Sequence, residues 1–415
     1  MSALRHQAPS APLAFASSRP LRILHAHSTF DCGGKEARTA RLMNGFGAAA
    51  EHVLLSARPG RVGAKMWIDD RIRHSFPADA PPIGGAPTPA RLYRIARYMR
   101  RFDLVLTYNR GAANVLLAKL LFGGPPIVHH EDGFNADEAI RLKPWRNLHR
   151  RIALRAADRL VVPSQRLAGI AVVHWHQLAS RIACIANGVG VAAFTGKAPD
   201  PIPGFRRRPG EIVIGTVAGL RAVKNQVRLI RAFAGLKGRN ARLIIAGEGP
   251  EEPRLRAEAA ACGVADRVIF AGFLPRADRF LAHFDIFALT SDSEQFPIAV
   301  VEAMSAGLPI VATDVGDIHL MVSNENRGQI VDRDDDAAFA RALALLADRA
   351  DVRTRLGQGN LRKAQRDYQD GPMIAAYADL YNQVVQQGAG YGRDPLSAAA
   401  AMSSIEAGAT PRFAK

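Results

Sequence analysis

Short apolar runs closed by polar residues recur along the chain, and most are separated by stretches with apolar positions every three or four residues. The runs at 21–26, 52–57, 103–108, 127–130, 159–163 and 181–186 read as buried strands, as do 212–217, 243–246, 268–273, 286–289 and 309–313. Strands alternating with helices predict an α/β fold with parallel sheets covered on both faces. Residues 58–89 interrupt the pattern, because their prolines and glycines predict little regular structure.

The segment 285–314 is the most informative unit. Its strand, 286–289, is closed by Thr290, Ser291, Asp292 and Ser293. Pro297 then suits the first turn of a helix whose buried face is Val300, Val301 and Met304; Gly307 ends the helix and Pro309 prevents its return. This order puts Glu294 above the carboxyl end of the strand and Glu302 in the helix behind it, at the edge where open α/β sheets bind ligands. The orphan peptide donors around Gln295, Phe296, Pro297 and Ile298 favour hydroxyls or an anion. A carboxylate such as Glu302 suits two neighbouring ribose hydroxyls. The competing reading makes Glu294 a helix-terminal carboxylate and Glu302 an exposed helix residue.

The run from Ser291 to Asp314 resembles the signature of the retaining glycosyltransferases of family 4: two glutamates seven residues apart, Ala303-Met304, Gly307, and the strand Pro309 to Thr313. The resemblance implies a GT-B fold, two Rossmann-like doubly wound parallel-sheet domains facing a cleft, with the nucleotide sugar held mainly by the second. It further implies that Glu294 and the 295–298 backbone hold the donor sugar, and that Glu302 holds the ribose.

Other stretches fit that frame. Gly33-Gly34, between a strand and a helix, lets the backbone approach a phosphate, and resembles the glycine loop that family members place opposite the donor phosphates; a tight turn with no ligand is the alternative. Lys224-Asn225 matches the family's Lys-Asn pair, with Lys224 clamping the departing diphosphate. The arginine usual five residues before that lysine is replaced by Gly219, so either Arg221 swings in as its stand-in or the site relies on Lys224 and backbone donors alone. Relatives receive the nucleobase near Phe273-Leu274. In His129-His130-Glu131-Asp132, either histidine matches the one that relatives carry near the reacting sugar. Glu131 and Asp132 are candidates for orienting the acceptor hydroxyl or accepting its proton, and a capping network on Asp132 is the rival reading. Gly316-Asp317 stands where a Gly-Gly is frequent in relatives.

These readings divide the chain into a loose leader (1–19), an acceptor-side domain (20–188), a linker (189–210), a nucleotide-sugar domain (211–370), a helix crossing back (371–385) and a mobile tail (386–415). The acidic run 332–336 lies away from the donor loops and reads as a solvated helix start, so neither a metal nor a cofactor is expected beyond the UDP- or GDP-linked donor. Cys32, Cys184 and Cys262 form no disulfide or zinc spacing, which favours a reducing cytoplasm. No apolar run approaches the roughly 20 residues of a membrane span.

The formal charge of +17 asks for an anionic partner. No nucleic-acid-binding motif accompanies it. Arg91, Arg94, Arg97, Arg100 and Arg101 interleave with apolar residues; Arg141, Lys143, Arg146, Arg150, Arg151, Arg155 and Arg159 surround Trp145 and Leu148. Both segments read either as solvated helix faces or as contacts with an anionic membrane. The expected activity is retaining transfer of a sugar to a glycan or lipid-linked acceptor, with an epimerase of the same architecture or a catalytically impaired donor-binding scaffold as rivals.

Overall fold

The structure is a computed structural model that describes residues 15, 17, 19–134, 138, 142–195 and 199–391. Strands β1 (Leu21–His27), β2 (Ala50–Ser56), β3 (His74–Ser75), β4 (Leu104–Tyr108), β5 (Ile127–His130), β6 (Arg159–Val162) and β7 (Ile182–Cys184) form one parallel sheet in the order 3-2-1-4-5-6-7. Strands β8 (Ile212–Val217), β9 (Ala241–Ala246), β10 (Val268–Gly272), β11 (Ile286–Leu289), β12 (Ile310–Thr313) and β13 (Ile330–Val331) form a second, in the order 10-9-8-11-12-13. Both sheets are Rossmann-like and doubly wound. Their strand orders reverse between β1 and β4 and between β8 and β11, where such sheets open a crevice.

The first sheet is dressed by α1 (Gly34–Phe46), α2 (Pro89–Met99), α3 (Ala113–Phe122), α4 (Pro144–Ala153) and α5 (Gln165–Val173). Leu24, Val105, Ile95 and Trp175 pack on one face, and Ile23, Leu104, Phe46 and Tyr381 on the other. The second carries α6 (Gln226–Ala234), α7 (Glu252–Ala261), α8 (Ile298–Ser305), α9 (Ile318–Met321), α10 (Asp336–Asp348) and α11 (Ala350–Asp367), with Ile214, Phe233 and Phe339 filling one layer and Phe287, Val300 and Met304 the other. The last helix, α12 (Asp370–Tyr391), returns to the first sheet, where Met373, Ile374, Tyr377 and Tyr381 join its core.

Several details differ from the sequence reading. In the expected linker, Val189, Val191 and Ile202 are buried in the second domain's core and Val189 pairs with Gln369. Within the expected leader, Phe15 stacks edge-on to Phe46 at 5.2 Å and Arg19 pairs with Asp103, anchoring the approach to β1. The crossing helix continues to Tyr391, past the expected start of the tail, with Gly388 against Pro126; residues 392–415 lie outside the described residues. The Arg-rich stretch after 141 is only partly a surface: Arg146 and Arg150 turn inward onto Glu138 at 2.9 and 3.0 Å, while Trp145 and Leu148 face outward. Arg141 lies outside the described residues. No described helix is long and apolar enough to cross a membrane.

Candidate functional site

The carboxyl ends of β8 and β11 bring two loops together. After β8 a 3-10 turn over Ala222–Lys224 leads into α6 through Asn225, which adopts a left-handed conformation at φ 45°. Asn225 Nδ2 donates to Asp292 Oδ1 at 3.0 Å and the Asp292 N–H donates to the Val223 carbonyl at 2.8 Å, fastening this turn to the loop after β11. The Lys224 ammonium therefore meets the Glu294 carboxylate in an ion pair, which Ser291 Oγ joins by donating to Glu294 Oε1 at 2.7 Å. Both side chains are only slightly exposed, so the charges face each other with little solvent between them.

The rest of the loop follows from α8. Pro297 occupies its amino-terminal cap without a side-chain acceptor, leaving first-turn N–H groups directed outward. Gln295 and Phe296 are buried, the latter edge-on to Tyr368 at 5.6 Å, and the Gln295 amide oxygen has no hydrogen-bond partner. Glu302 is half-buried rather than exposed as the simpler reading held. Burial, helped by Asp278 and opposed by Arg41, lifts its carboxyl to about 7.

Around the diphosphate candidates, backbone packing is tight. A Cβ at Gly247 would come within 1.9 Å of the Ala218 carbonyl, and one at Gly249 within 2.2 Å of Leu220's. Gly219 is different: a Cβ there would stand 3.5 Å from Arg221 Nε, so the exposed Arg221 side chain leans over the position where relatives carry arginine. Phe273 is exposed, with its N–H donating to Glu248 Oε1 at 3.3 Å, and Leu274 beside it is half-buried.

Across the cleft, Gly33 precedes α1 in extended conformation, and a Cβ at Gly34 would stand 3.4 Å from Ile298 Cδ1. A Cβ at Gly133 would reach within 3.1 Å of Gln295 Cγ. The glycine loop and the loop after β5 thus both abut the 295–298 segment.

The end of β5 divides the candidates there. His129 and His130 are both buried: His129 Nδ1 pairs with Thr107 Oγ1 at 2.8 Å, and His130 Nε2 with Tyr381 OH at 2.9 Å. Burial and the nearby Arg38 hold the His130 imidazole well below its usual value, hence neutral. Glu131 is also buried, 3.5 Å from His129 and 3.7 Å from Arg150. Of the four residues in this motif, Asp132 is the one that is not buried. It is held by the buried Arg38 through a two-point pair, with Nη2 to Oδ2 at 2.9 Å, and its N–H donates to Asn109 Oδ1 at 2.7 Å. Asn109 adopts φ 52°, an uncommon value for a residue with a side chain.

Sequence reasoning passed over Arg38, Arg41 and Asn109. Arg38 also donates to Asn187 Oδ1 at 3.2 Å and Arg41 to the Gly188 carbonyl at 2.7 Å, so one face of α1 holds the last residues before the interdomain segment. The three-residue spacing of the two arginines marks a shared helix face but not what that face touches.

In the 332–336 run, Asp335 Oδ1 accepts the Ala338 N–H at 2.7 Å as the cap of α10, and Asp334 and Asp336 pair with Arg333 and Arg228. Among the described residues no group of three or more histidines, cysteines or carboxylates is arranged to hold a metal ion.

Residues 202–363 match the model of glycosyl transferases group 1, and residues 32–192 that of glycosyltransferase family 4. The D-inositol 3-phosphate glycosyltransferase of Corynebacterium efficiens is 28% identical over 280 residues, 62% of this chain and 66% of that protein. The chain spans about half to two thirds of the length of the curated relatives of that kind that it matches. Among solved structures, Anabaena HepE in complex with UDP superposes with a TM-score of 0.71 at 18% identity, covering 88% of this chain and 100% of that one. Sucrose-phosphate synthase from Thermosynechococcus elongatus gives 0.70 at 17% identity, with the same coverage. At these identities the superpositions establish the architecture. Two family models in tandem, over two parallel-sheet domains that meet at their strands' carboxyl ends, lead to one conclusion: the chain belongs to glycosyltransferase family 4 and has the GT-B fold.

Proposed function

We propose that the protein transfers a hexosyl group from a nucleotide sugar to an acceptor hydroxyl with retention at the anomeric carbon. The observation that carries this reading is the Lys224–Glu294 pair, on a loop whose continuation through Ile298 abuts the glycine loop of the other domain. Lys224 leaves Glu294 for the donor diphosphate, with Arg221 and the Gly33-Gly34 backbone adding positive potential, while Glu294 and the α8 amino end take the sugar hydroxyls. Glu302 receives the ribose, and the base lies by Phe273 and Leu274. As the bond from the anomeric carbon to the diphosphate oxygen breaks, the acceptor oxygen bonds to that carbon on the same face, and its proton passes to the departing phosphate. Asp132, fixed by Arg38 and Asn109, orients the acceptor. His129 and His130 act from below, by holding β5 against β4 and α12. The reaction is assigned no metal, the negative charge being met by Lys224, Arg221 and peptide donors.

HepE was crystallised with UDP, which makes uridine donors the first to try. The acceptor is placed among glycans or lipid-linked saccharides of cell-surface polymers, at the cytoplasmic face of a membrane. Exposed Tyr93, Trp145 and Leu148 on the basic helices α2 and α4 support peripheral contact with anionic lipid. Co-sedimentation with anionic vesicles, lost at high salt, is expected; no binding at low salt removes the membrane contact.

Gly219 in place of an arginine and the burial of both histidines favour a second reading, a donor-binding scaffold without catalysis. Incubation with UDP- and GDP-sugars, followed by mass spectrometry and by NMR of the product's anomeric centre, separates them. An α-linked product from an α-linked donor supports retaining transfer. Inversion contradicts retention, nucleotide-sugar binding with no product supports the scaffold, and an epimerised donor formed without acceptor supports an epimerase.

A further inference from the structure

Asp317, in the turn between β12 and α9, belongs to the second domain, yet its carboxylate is spent on the first. Oδ2 accepts the Gln165 N–H at 2.6 Å and Oδ1 the Arg166 N–H at 3.1 Å. These are the first two peptide donors of α5; the third, Leu167, is already served by Ser164 Oγ at 3.1 Å. A negative charge at a helix amino end satisfies orphan donors and the helix dipole together. Here the cap of a first-domain helix is completed from the other side of the cleft.

The same turn is bound to the donor loop. The Asp317 N–H donates to the Gln295 carbonyl at 3.1 Å. Gly316, at φ 63°, lies so close that a Cβ there would meet the Gln295 carbonyl oxygen at 2.5 Å and that of Glu294 at 2.8 Å. Gln295 in turn abuts Gly133 of the first domain. Asp317 is almost fully buried, so its contacts are little diluted by water.

We infer that Asp317 is a positioning residue, a latch that sets the donor loop at Glu294–Gln295 in register with the first domain by capping α5. The inference rests on the proposed donor role of that loop, but the latch itself does not. With the latch in place the two halves of the site stand together before a donor arrives. Without it the donor must supply the closure, which lowers its apparent affinity and leaves the chemical step at saturation intact.

Two variants approach the contact from opposite domains. Asp317→Ala removes the acceptor. Gln165→Pro removes the shorter bond's donor at the first position of α5, where proline is compatible with the helix and where Ser164, at φ −137° and ψ 149°, has the extended backbone that precedes proline. Small-angle scattering without nucleotide is expected to show both variants expanded relative to the wild type, with UDP restoring the compact profile. Donor KM should rise about tenfold, the equivalent of one lost charge-assisted pair, with kcat changed less than twofold, and Asp317→Asn should recover part of the loss. Scattering profiles of both variants identical to the wild type would overturn the latch. Expanded variants with unchanged KM would retain the latch and reject its link to the donor, and an inactive wild type would remove the transfer reading while the scattering result still stands.

Discussion

Glu302 is the residue whose environment makes the sharpest prediction. Burial, with Asp278 adding to it against Arg41, raises its carboxyl to about 7 from 4.5. An ionised carboxylate is what accepts two ribose hydroxyls, so nucleotide affinity measured by calorimetry should strengthen as pH rises from about 6 to 8, and Glu302→Gln should flatten that profile. The stability contribution has the opposite sense. The folded protein keeps a proton that the unfolded chain has released, so this contribution is present below 4.5 and lost as pH rises through about 7. Arg38→Ala should cost about 3 kcal/mol in a denaturant titration, because it strands the partly buried Asp132 and withdraws a bond from Asn187. Glu294 and Lys224 stand out in the sequence as candidates because they occupy motif positions in short connections beside predictable strands, and Glu302 because it occupies one on the helix that follows. Arg38 and Asn109 do not, since their roles arise from contacts with Asp132, 94 and 23 residues away. The two histidines show the limit of the reading: adjacent residues on a strand point to opposite faces, and here both faces are covered, by Thr107 and Glu131 on one and by Tyr381 on the other.

At the scale of elements, the unbroken apolar run at 286–289 located β11 to the residue, because a strand buried on both faces ends where polar side chains begin. Helix α11 carries Gly357 and Gly359 in its interior, which weaken the local preference for helix, and no helix is legible there from sequence. The structure supplies the reason for one of them. A Cβ at Gly357 would lie 2.0 Å from the Gly307 carbonyl oxygen, so the glycine lets α11 approach the turn that ends α8. Gly357→Ala should therefore destabilise the fold by about 1–3 kcal/mol, read from the denaturation midpoint, although alanine is the better helix former. Tertiary packing overrides propensity here, and it also seats α8 with its free first-turn donors toward the cleft.

At the scale of the whole molecule, two domains with reversing strand order follow from alternation of strands and helices, and the signature at 291–314 marks which of them resembles a donor domain. What alternation cannot encode is how the domains meet. The interdomain segment is packed rather than free, α1 holds Asn187 and Gly188, and Asp317 reaches α5 across the cleft; each depends on residues remote in the chain. The central claim is that the Lys224–Glu294 pair is the seat of sugar transfer. The measurement closest to it is release of nucleoside diphosphate from a panel of UDP- and GDP-sugars, in the presence of saccharide acceptors, by the wild type, Lys224→Ala and Glu294→Ala. Turnover by the wild type with at least one donor, falling roughly 100- to 1,000-fold in each variant while both remain folded, is the predicted result. Full activity in either variant would contradict it.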